Sequence, residues 1–128
     1  MKSDTKPDVC VVGLGYIGLP TAAIAARAGC VVHGVDVAHQ VVETINRGAI
    51  HIEEVDLDGL VQGVVARGML KASTEVAPAD VFIIAVPTPF DADHAPDVSH
   101  VLAAGEAVAG IAEASCLTAA RFMIDRLP

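Results

Sequence analysis

A doubly wound α/β fold, with a parallel sheet in strand order 3-2-1-4 and helices on both faces, follows from three features of the sequence. Short β-rich apolar runs alternate with segments whose apolar residues recur at helical spacing. A glycine-rich turn, GLGYIG at residues 13–18, joins the first such run to an alanine-rich segment. The chain has 128 residues, 53% of them hydrophobic, which is enough for one core of ordinary domain size. Right-handed crossovers between parallel strands then order the sheet as 3-2-1-4.

Residues 1–7 read as a flexible leader. Val9 to Val12 form a buried strand, because parallel strands covered on both faces are continuous apolar runs. After the glycine turn, Ile17 to Ala28 form a helix with Pro20 in its first turn, where a missing N–H is tolerated. Gly29 terminates it. Cys30 to Val35 make the second strand, ending at Asp36. A second helix covers Ala38 to Arg47, with Val37, Val41 and Ile45 along one face, and Gly48 ends it. The AIHIEE loop leads to a third helix over Asp56–Arg67, whose apolar stripe is Leu57, Leu60, Val61, Val64 and Val65. Gly68 stops that helix, and Leu70 to Ser73 form a short strand. Val81 to Val86, VFIIAV, is the strongest strand pattern in the chain. A polar loop follows, and Asp97 or Ser99 caps a helix running to about Ala114.

Composition narrows the partners. Sixteen Asp and Glu against eight Lys and Arg give a formal net charge of −8. That balance argues against a nucleic-acid partner or an anionic membrane surface, both of which need a basic patch. Aromatic residues are 3% and Trp is absent, so base-stacking platforms are not expected. An anionic ligand can still bind through backbone N–H groups. The polar start MKSDTKPD lacks the apolar middle of a signal peptide, and no apolar stretch approaches a membrane span. The expectation is a cytoplasmic protein. The three cysteines, Cys10, Cys30 and Cys116, are scattered with no CxxC pair and read as reduced core thiols.

The chemistry concentrates in the glycine turn. GLGYIG matches G-x-G-x-x-G, a weak pattern alone, but it stands between an apolar strand and a helix as the pattern requires. Gly13 permits a tight turn, Gly15 removes a side chain where a pyrophosphate approaches, and Gly18 lets helix and strand pack closely. The helix start adds free N–H groups and the positive end of its dipole. Asp36 lies 18 residues beyond Gly18, at the end of the second strand. There a carboxylate can accept hydrogen bonds from a ribose diol and repel a 2′-phosphate. No Lys or Arg is near it, since Val37, Ala38 and His39 follow. The expected cofactor is therefore NAD rather than NADP, on a Rossmann-type site; the competing reading is that Asp36 merely caps the next helix. Val86 to Phe90, VPTPF, leaves the carboxyl end of the best strand, where ligands bind in open α/β sheets. Thr88 offers a hydroxyl there, and a rigid loop without contact is the alternative. The five histidines, His33, His39, His51, His94 and His100, show no metal spacing. No nucleophile–base arrangement stands out, and Cys116 has nothing near it in sequence to lower its pKa. No catalytic residue and no metal ligand is assigned.

Three stretches carry a resemblance. VVGLGYIGLPTAAIAARAG, VDVAHQVVETINRGAIHIEEVDL and IIAVPTPFDADHAPDVSHV are similar to segments of the UDP-sugar 6-dehydrogenases, the UDP-glucose/GDP-mannose dehydrogenase family. The GxIHIxExDL stretch and the DHxPDxSxV spacing favour the branch acting on UDP-N-acetylmannosamine, with a UDP-glucose-type specificity as the alternative. The resemblance covers about residues 8 to 111, the NAD-binding Rossmann domain. It implies oxidation of a sugar C6 alcohol to the carboxylate with two NAD, and a UDP-sugar as substrate. It places nucleotide contacts on Gly13, Gly15, Tyr16, Ile17, Gly18, Asp36 and Thr88. The family's cysteine nucleophile, which splits the oxidation through a thioester, has no counterpart here, and Cys116 does not match it. Val55 replaces a proline usual in the family. Family members continue well beyond this length, so the doubly wound sheet is expected to be incomplete. Residues 112–128 form an atypical tail, in which RFMI imitates the family's next strand.

The leading expectation is the NAD-binding part of such a dehydrogenase, inactive by itself. The second is a non-enzymatic remnant with an unpaired sheet edge and an uncovered apolar face, which would self-associate, for instance as a homodimer, or be only marginally stable. A methyltransferase with a GxG turn explains the turn and Asp36 but not HIEEVDL or PTPF…DHAPD.

Overall fold

Three strand segments that carry no Asp, Glu, Lys or Arg, namely β1 (Val9–Val12), β2 (Val32–Val35) and β4 (Val81–Ile84), lie together at the centre of a parallel sheet. The computed structural model describes residues 7–86, 99–112 and 119–122. The remaining elements are α1 (Gly18–Arg27), α2 (His39–Asn46), α3 (Leu57–Ala66), β3 (Leu70–Ser73), α4 (Ser99–Ala112) and β5 (Ala119–Phe122). The sheet order is β3-β2-β1-β4-β5, all neighbours parallel. It contains the expected 3-2-1-4 order and adds a fifth strand beside β4. That strand is Ala119–Phe122, beginning two residues before the RFMI stretch, in register with Val81–Ile84.

Side chains alternate across the sheet, as period-2 geometry demands. Val11, Val32, Leu70 and Ala72 face a core built with Leu19, Ala22, Ala23 and Ala26 of α1, Ile45 of α2, and Leu57, Val61 and Val64 of α3. Cys10, Val12, Val35, Phe82 and Ile84 face the other side, where Ala104 and Val108 of α4 cover them. Both faces of β1 are thus largely covered, whereas β4 is buried at Phe82 and Ile84 but exposed at Val81 and half-buried at Ile83; coverage on two faces favours near-continuous apolar runs over alternating ones. Among the described residues Phe82 is the largest fully buried side chain, and its burial contributes about 1.5–3 kcal/mol. No buried polar or charged residue occurs among those described.

The first three helices end alike. The Cys30 amide donates to Ala25 O at 3.1 Å, Ala49 to Thr44 O at 3.0 Å and Met69 to Val64 O at 2.9 Å. Each closes a wide C-terminal loop around a left-handed glycine: Gly29, Gly48 or Gly68. The stops at Gly29 and Gly68 return the chain to the amino ends of β2 and β3, whereas the one at Gly48 leads on to α3. Because β1 pairs in parallel with both β2 and β4, the carboxyl ends of these three strands lie on the same side. No helix among the described residues is long and apolar enough to cross a membrane.

Candidate functional site

The site forms where the carboxyl ends of β1, β2 and β4 meet the start of α1. Gly13 continues β1: its N–H donates to Val35 O at 2.7 Å, while the Ala85 N–H donates to Val12 O at 2.7 Å. The backbone then turns sharply, with Gly13 at φ +100°. A Cβ on Gly13 would strike the Ala85 carbonyl, and a Cβ on Gly18 would strike the carbonyl of Gly13. Glycine is therefore required at both positions by the protein's own backbone. Gly15 is different. A Cβ there would have no heavy atom within 4 Å, and its φ is not positive. Nothing in the described chain demands glycine at 15, so its bare surface leaves space for something that is not protein.

The helix start is arranged for an anion. Ile17 is the N-cap of α1 without a side-chain cap, and no acidic residue lies in the first turn. The N–H groups of Gly15, Tyr16 and Ile17 have no backbone acceptor among the described residues. Unpaired donors and an unneutralised dipole end attract phosphate oxygens without any Lys or Arg. Tyr16 is 57% exposed at the rim, and Ile17 is half-buried.

Asp36 stands half-buried just beyond β2. Its Oδ2 accepts from the Leu14 N–H at 3.1 Å, and its Oδ1 accepts from the Ala38 N–H at 3.0 Å. Ala38 is the N-cap of α2, and α2 has no side-chain cap. Asp36 thus shapes the turn before that helix and also reaches back 22 residues to the glycine turn. A carboxylate offers about four lone-pair directions, so the two backbone donors leave acceptor capacity for a ligand diol.

A cavity of about 460 Å³ connects these parts. Gly15, Tyr16 and Asp36 line it together with Val37, Thr74, Val76 and Val86, and α4 closes one wall with Ala103, Ala104 and Ala107. The wall is largely apolar, with polar groups concentrated at the turn and Asp36, as in sites for small molecules with one anionic and one flat apolar part. Gly13, Gly15, Tyr16, Ile17 and Asp36 all line it, while Gly18 is buried behind the turn, against Gly13 and Ala85. Thr88 lies outside the described residues, although Val86, which leads to it, borders the cavity. No His, Cys, Lys or Arg among the described residues lines the cavity. His33 instead hydrogen-bonds Glu75 O through Nε2 at 3.0 Å. Cys10 is buried in the sheet, and desolvation pushes its thiol pKa up, opposed in part by a backbone hydrogen bond at Ala77. Cys116 and His94 lie outside the described residues. No group of three His, Cys, Asp or Glu able to hold a metal occurs among the described residues.

Sequence reading passed over several members of the site. Leu14 is one, because its role is played by its backbone N–H. The α4 alanines are another: small residues at 103, 104 and 107 look like ordinary helix formers until the helix is docked. Gly34, which packs against the Leu14 side chain without lining the cavity, carries a legible signal, since a glycine inside a strand marks a close approach of other atoms.

The geometry agrees with comparisons to known proteins. The sequence model of the UDP-glucose/GDP-mannose dehydrogenase family, NAD binding domain, matches residues 7–121, a span that reaches β5. The chain is 53% identical over 103 residues to an NDP-N-acetyl-D-galactosaminuronic acid dehydrogenase of Ralstonia nicotianae, covering 80% of this chain and 24% of that protein. It is 49% identical over 109 residues to the UDP-N-acetyl-D-mannosamine dehydrogenase of Escherichia coli K12, covering 85% of this chain and 26% of the relative. Among solved structures, the UDP-N-acetyl-mannosamine dehydrogenase from S. aureus superposes with a TM-score of 0.85 at 37% identity, over 94% of this chain and 29% of that one. The chain thus spans about a quarter of the curated relatives it matches. With an NAD-type glycine turn at the switch point of a parallel sheet, and a family match over nearly all of the fold, the chain belongs to the UDP-glucose/GDP-mannose dehydrogenase family, as its NAD binding domain.

Proposed function

We propose that this chain supplies the cofactor site of a UDP-sugar 6-dehydrogenase acting on UDP-N-acetylmannosamine. The single observation that carries the cofactor reading is the double anchorage of Asp36. Its carboxylate is held by Leu14 of the glycine turn and by Ala38, beside a bare Gly15. These residues fit an unphosphorylated dinucleotide. The N–H groups at 15 to 17 would hold the pyrophosphate, and Gly15 gives it room. Asp36 would accept from the adenosine ribose diol, and its charge would reject a 2′-phosphate. Val37 and Val76 would offer apolar surface to the base. Thr88, by family resemblance, would add a hydroxyl contact. The bound cofactor supplies the hydride acceptor; the chain's part is to hold it, orient it and keep water from one face with the apolar cavity wall.

The substrate rests on likeness. The relatives named above are called dehydrogenases of N-acetylated hexosamine nucleotides or their uronic acids, and their names differ in the sugar's configuration. An N-acetylhexosamine is common to both, and the HIEEVDL and DHAPDVSHV stretches support the mannosamine form. No residue of this chain is given a catalytic role, so turnover by the chain alone is not expected. Titration calorimetry with NAD, NADP and ADP-ribose tests the cofactor reading. Binding of NAD and ADP-ribose with clear preference over NADP supports it; equal binding of NADP sinks the role given to Asp36. Oxidation of UDP-N-acetylmannosamine by the isolated chain would show that catalytic residues have been overlooked within it.

A further inference from the structure

Gly34 lies inside β2, opposite Val11 of β1 and Ala72 of β3. Its φ is not positive, so backbone conformation does not require glycine there. Space does. A Cβ on Gly34 would come within 2.9 Å of Leu14 Cδ2 and 3.0 Å of Leu14 Cδ1. Both are closer than van der Waals contact allows. A leucine can often swing its methyl groups aside, but Leu14 is 0% exposed and belongs to the core shared with α1 and α3. Close-packed interiors transmit such a displacement rather than absorb it.

The displacement would reach Asp36. Asp36 follows Gly34 by two residues, just past the end of β2. Leu14 touches both positions: its methyl groups lie over Gly34, and its N–H donates to Asp36 Oδ2 at 3.1 Å. Leu14 also stands between Gly13 and Gly15, so moving it moves the turn. We propose that Gly34 is a positioning residue for cofactor selectivity: by leaving room for the Leu14 side chain, it aligns the Leu14 amide with Asp36 and holds the carboxylate where it selects an unphosphorylated ribose. The selectivity part rests on the NAD reading of the site; the alignment part does not.

The test uses the 128-residue chain as wild type, Gly34→Ala and Gly34→Ala/Leu14→Val. The second substitution removes about the volume the first adds. Amide hydrogen exchange at residue 14, followed by NMR, reads the bond to Asp36 with no ligand present. Calorimetry with NAD and NADP reads selectivity, and circular dichroism reports the fold. Gly34→Ala is expected to lose protection at residue 14 and to narrow the NAD-over-NADP preference about tenfold, the worth of one charge-assisted hydrogen bond. Leu14→Val in the same chain is expected to restore both, which a merely structural role for Gly34 would not require. Wild-type protection at residue 14 in Gly34→Ala overturns the alignment, whatever the cofactor does. Lost protection with unchanged preference overturns the link to selectivity. Should Gly34→Ala unfold, the double variant decides: folded with wild-type protection and preference it supports the inference, and folded without them it overturns it. A wild-type chain that shows the protected amide but binds neither dinucleotide refutes the functional reading, and the selectivity claim with it.

Discussion

Replacing Asp36 by asparagine or alanine separates its structural work from its recognition of ligand. The carboxylate accepts two backbone N–H groups, one part-buried from Leu14 and one exposed from Ala38. Asparagine has one acceptor oxygen, so it can satisfy Leu14 only by turning its NH₂ toward Ala38. Water replaces the lost bond at that exposed amide, and the cost is about 1 kcal/mol. Alanine satisfies neither donor. It leaves the part-buried Leu14 N–H without its acceptor, for a total of about 2–3 kcal/mol. For a domain of this size, each kcal/mol lowers the melting temperature by about 3–5 °C. Thermal melting by circular dichroism should therefore rank wild type above Asp36→Asn and Asp36→Ala lowest, with the extremes about 6–15 °C apart. In calorimetry, Asp36→Asn should weaken NAD about tenfold and leave NADP no weaker than before, because the like-charge repulsion is gone. An Asp36→Ala chain that melts with the wild type would show that the Leu14 bond carries no stability. An Asp36→Asn chain that keeps its full preference for NAD would refute the recognition role.

Gly18→Ala should abolish NAD binding and lower stability by more than Gly15→Ala, because the new Cβ at 18 meets the Gly13 carbonyl whereas at 15 it meets open space. Gly15→Ala should then weaken NAD while leaving the melting temperature close to wild type, and equal melting losses in the two variants would contradict that division. Asn46→Ala should cost about 1–3 kcal/mol in thermal melting. It removes a paired contact in which Asn46 Nδ2 donates to Ala72 O and the Ala72 N–H donates to Asn46 Oδ1, both at 2.9 Å. Since β3 is an edge strand, the same variant should also raise self-association in light scattering. Alkylation by iodoacetamide at neutral pH should label half-buried Cys30 well before Cys10, whose buried thiol resists ionisation. Equal labelling rates would show that the sheet opens more readily than its packing implies.

Much of the architecture was legible because local rules and global fold agree. VCVV and VFII are strands in the structure, at the centre of the sheet where apolar runs belong. Glycines at 29, 48 and 68 marked three helix ends correctly, since a left-handed cap leaves an unambiguous residue preference. The order 3-2-1-4 followed from handedness alone. The fifth strand was harder. Ala119–Phe122 has little of the β-rich apolar character of the inner strands, and its place is decided by pairing with Val81–Ile84 rather than by propensity.

In the site, residue identity named Gly13, Gly15, Gly18 and Asp36, because a turn, an anion and a diol each need a particular residue type at a particular spacing. Sequence also sufficed for the family. Tertiary structure alone showed why the three glycines differ: 13 and 18 are required by neighbouring carbonyls, and 15 by nothing in the described chain. It also revealed that Leu14 joins the turn to Asp36 and that Gly34 makes room for it. Those contacts cross 22 and 20 residues of chain. They depend on a backbone amide and on empty volume, and neither is written in the letter of any one residue.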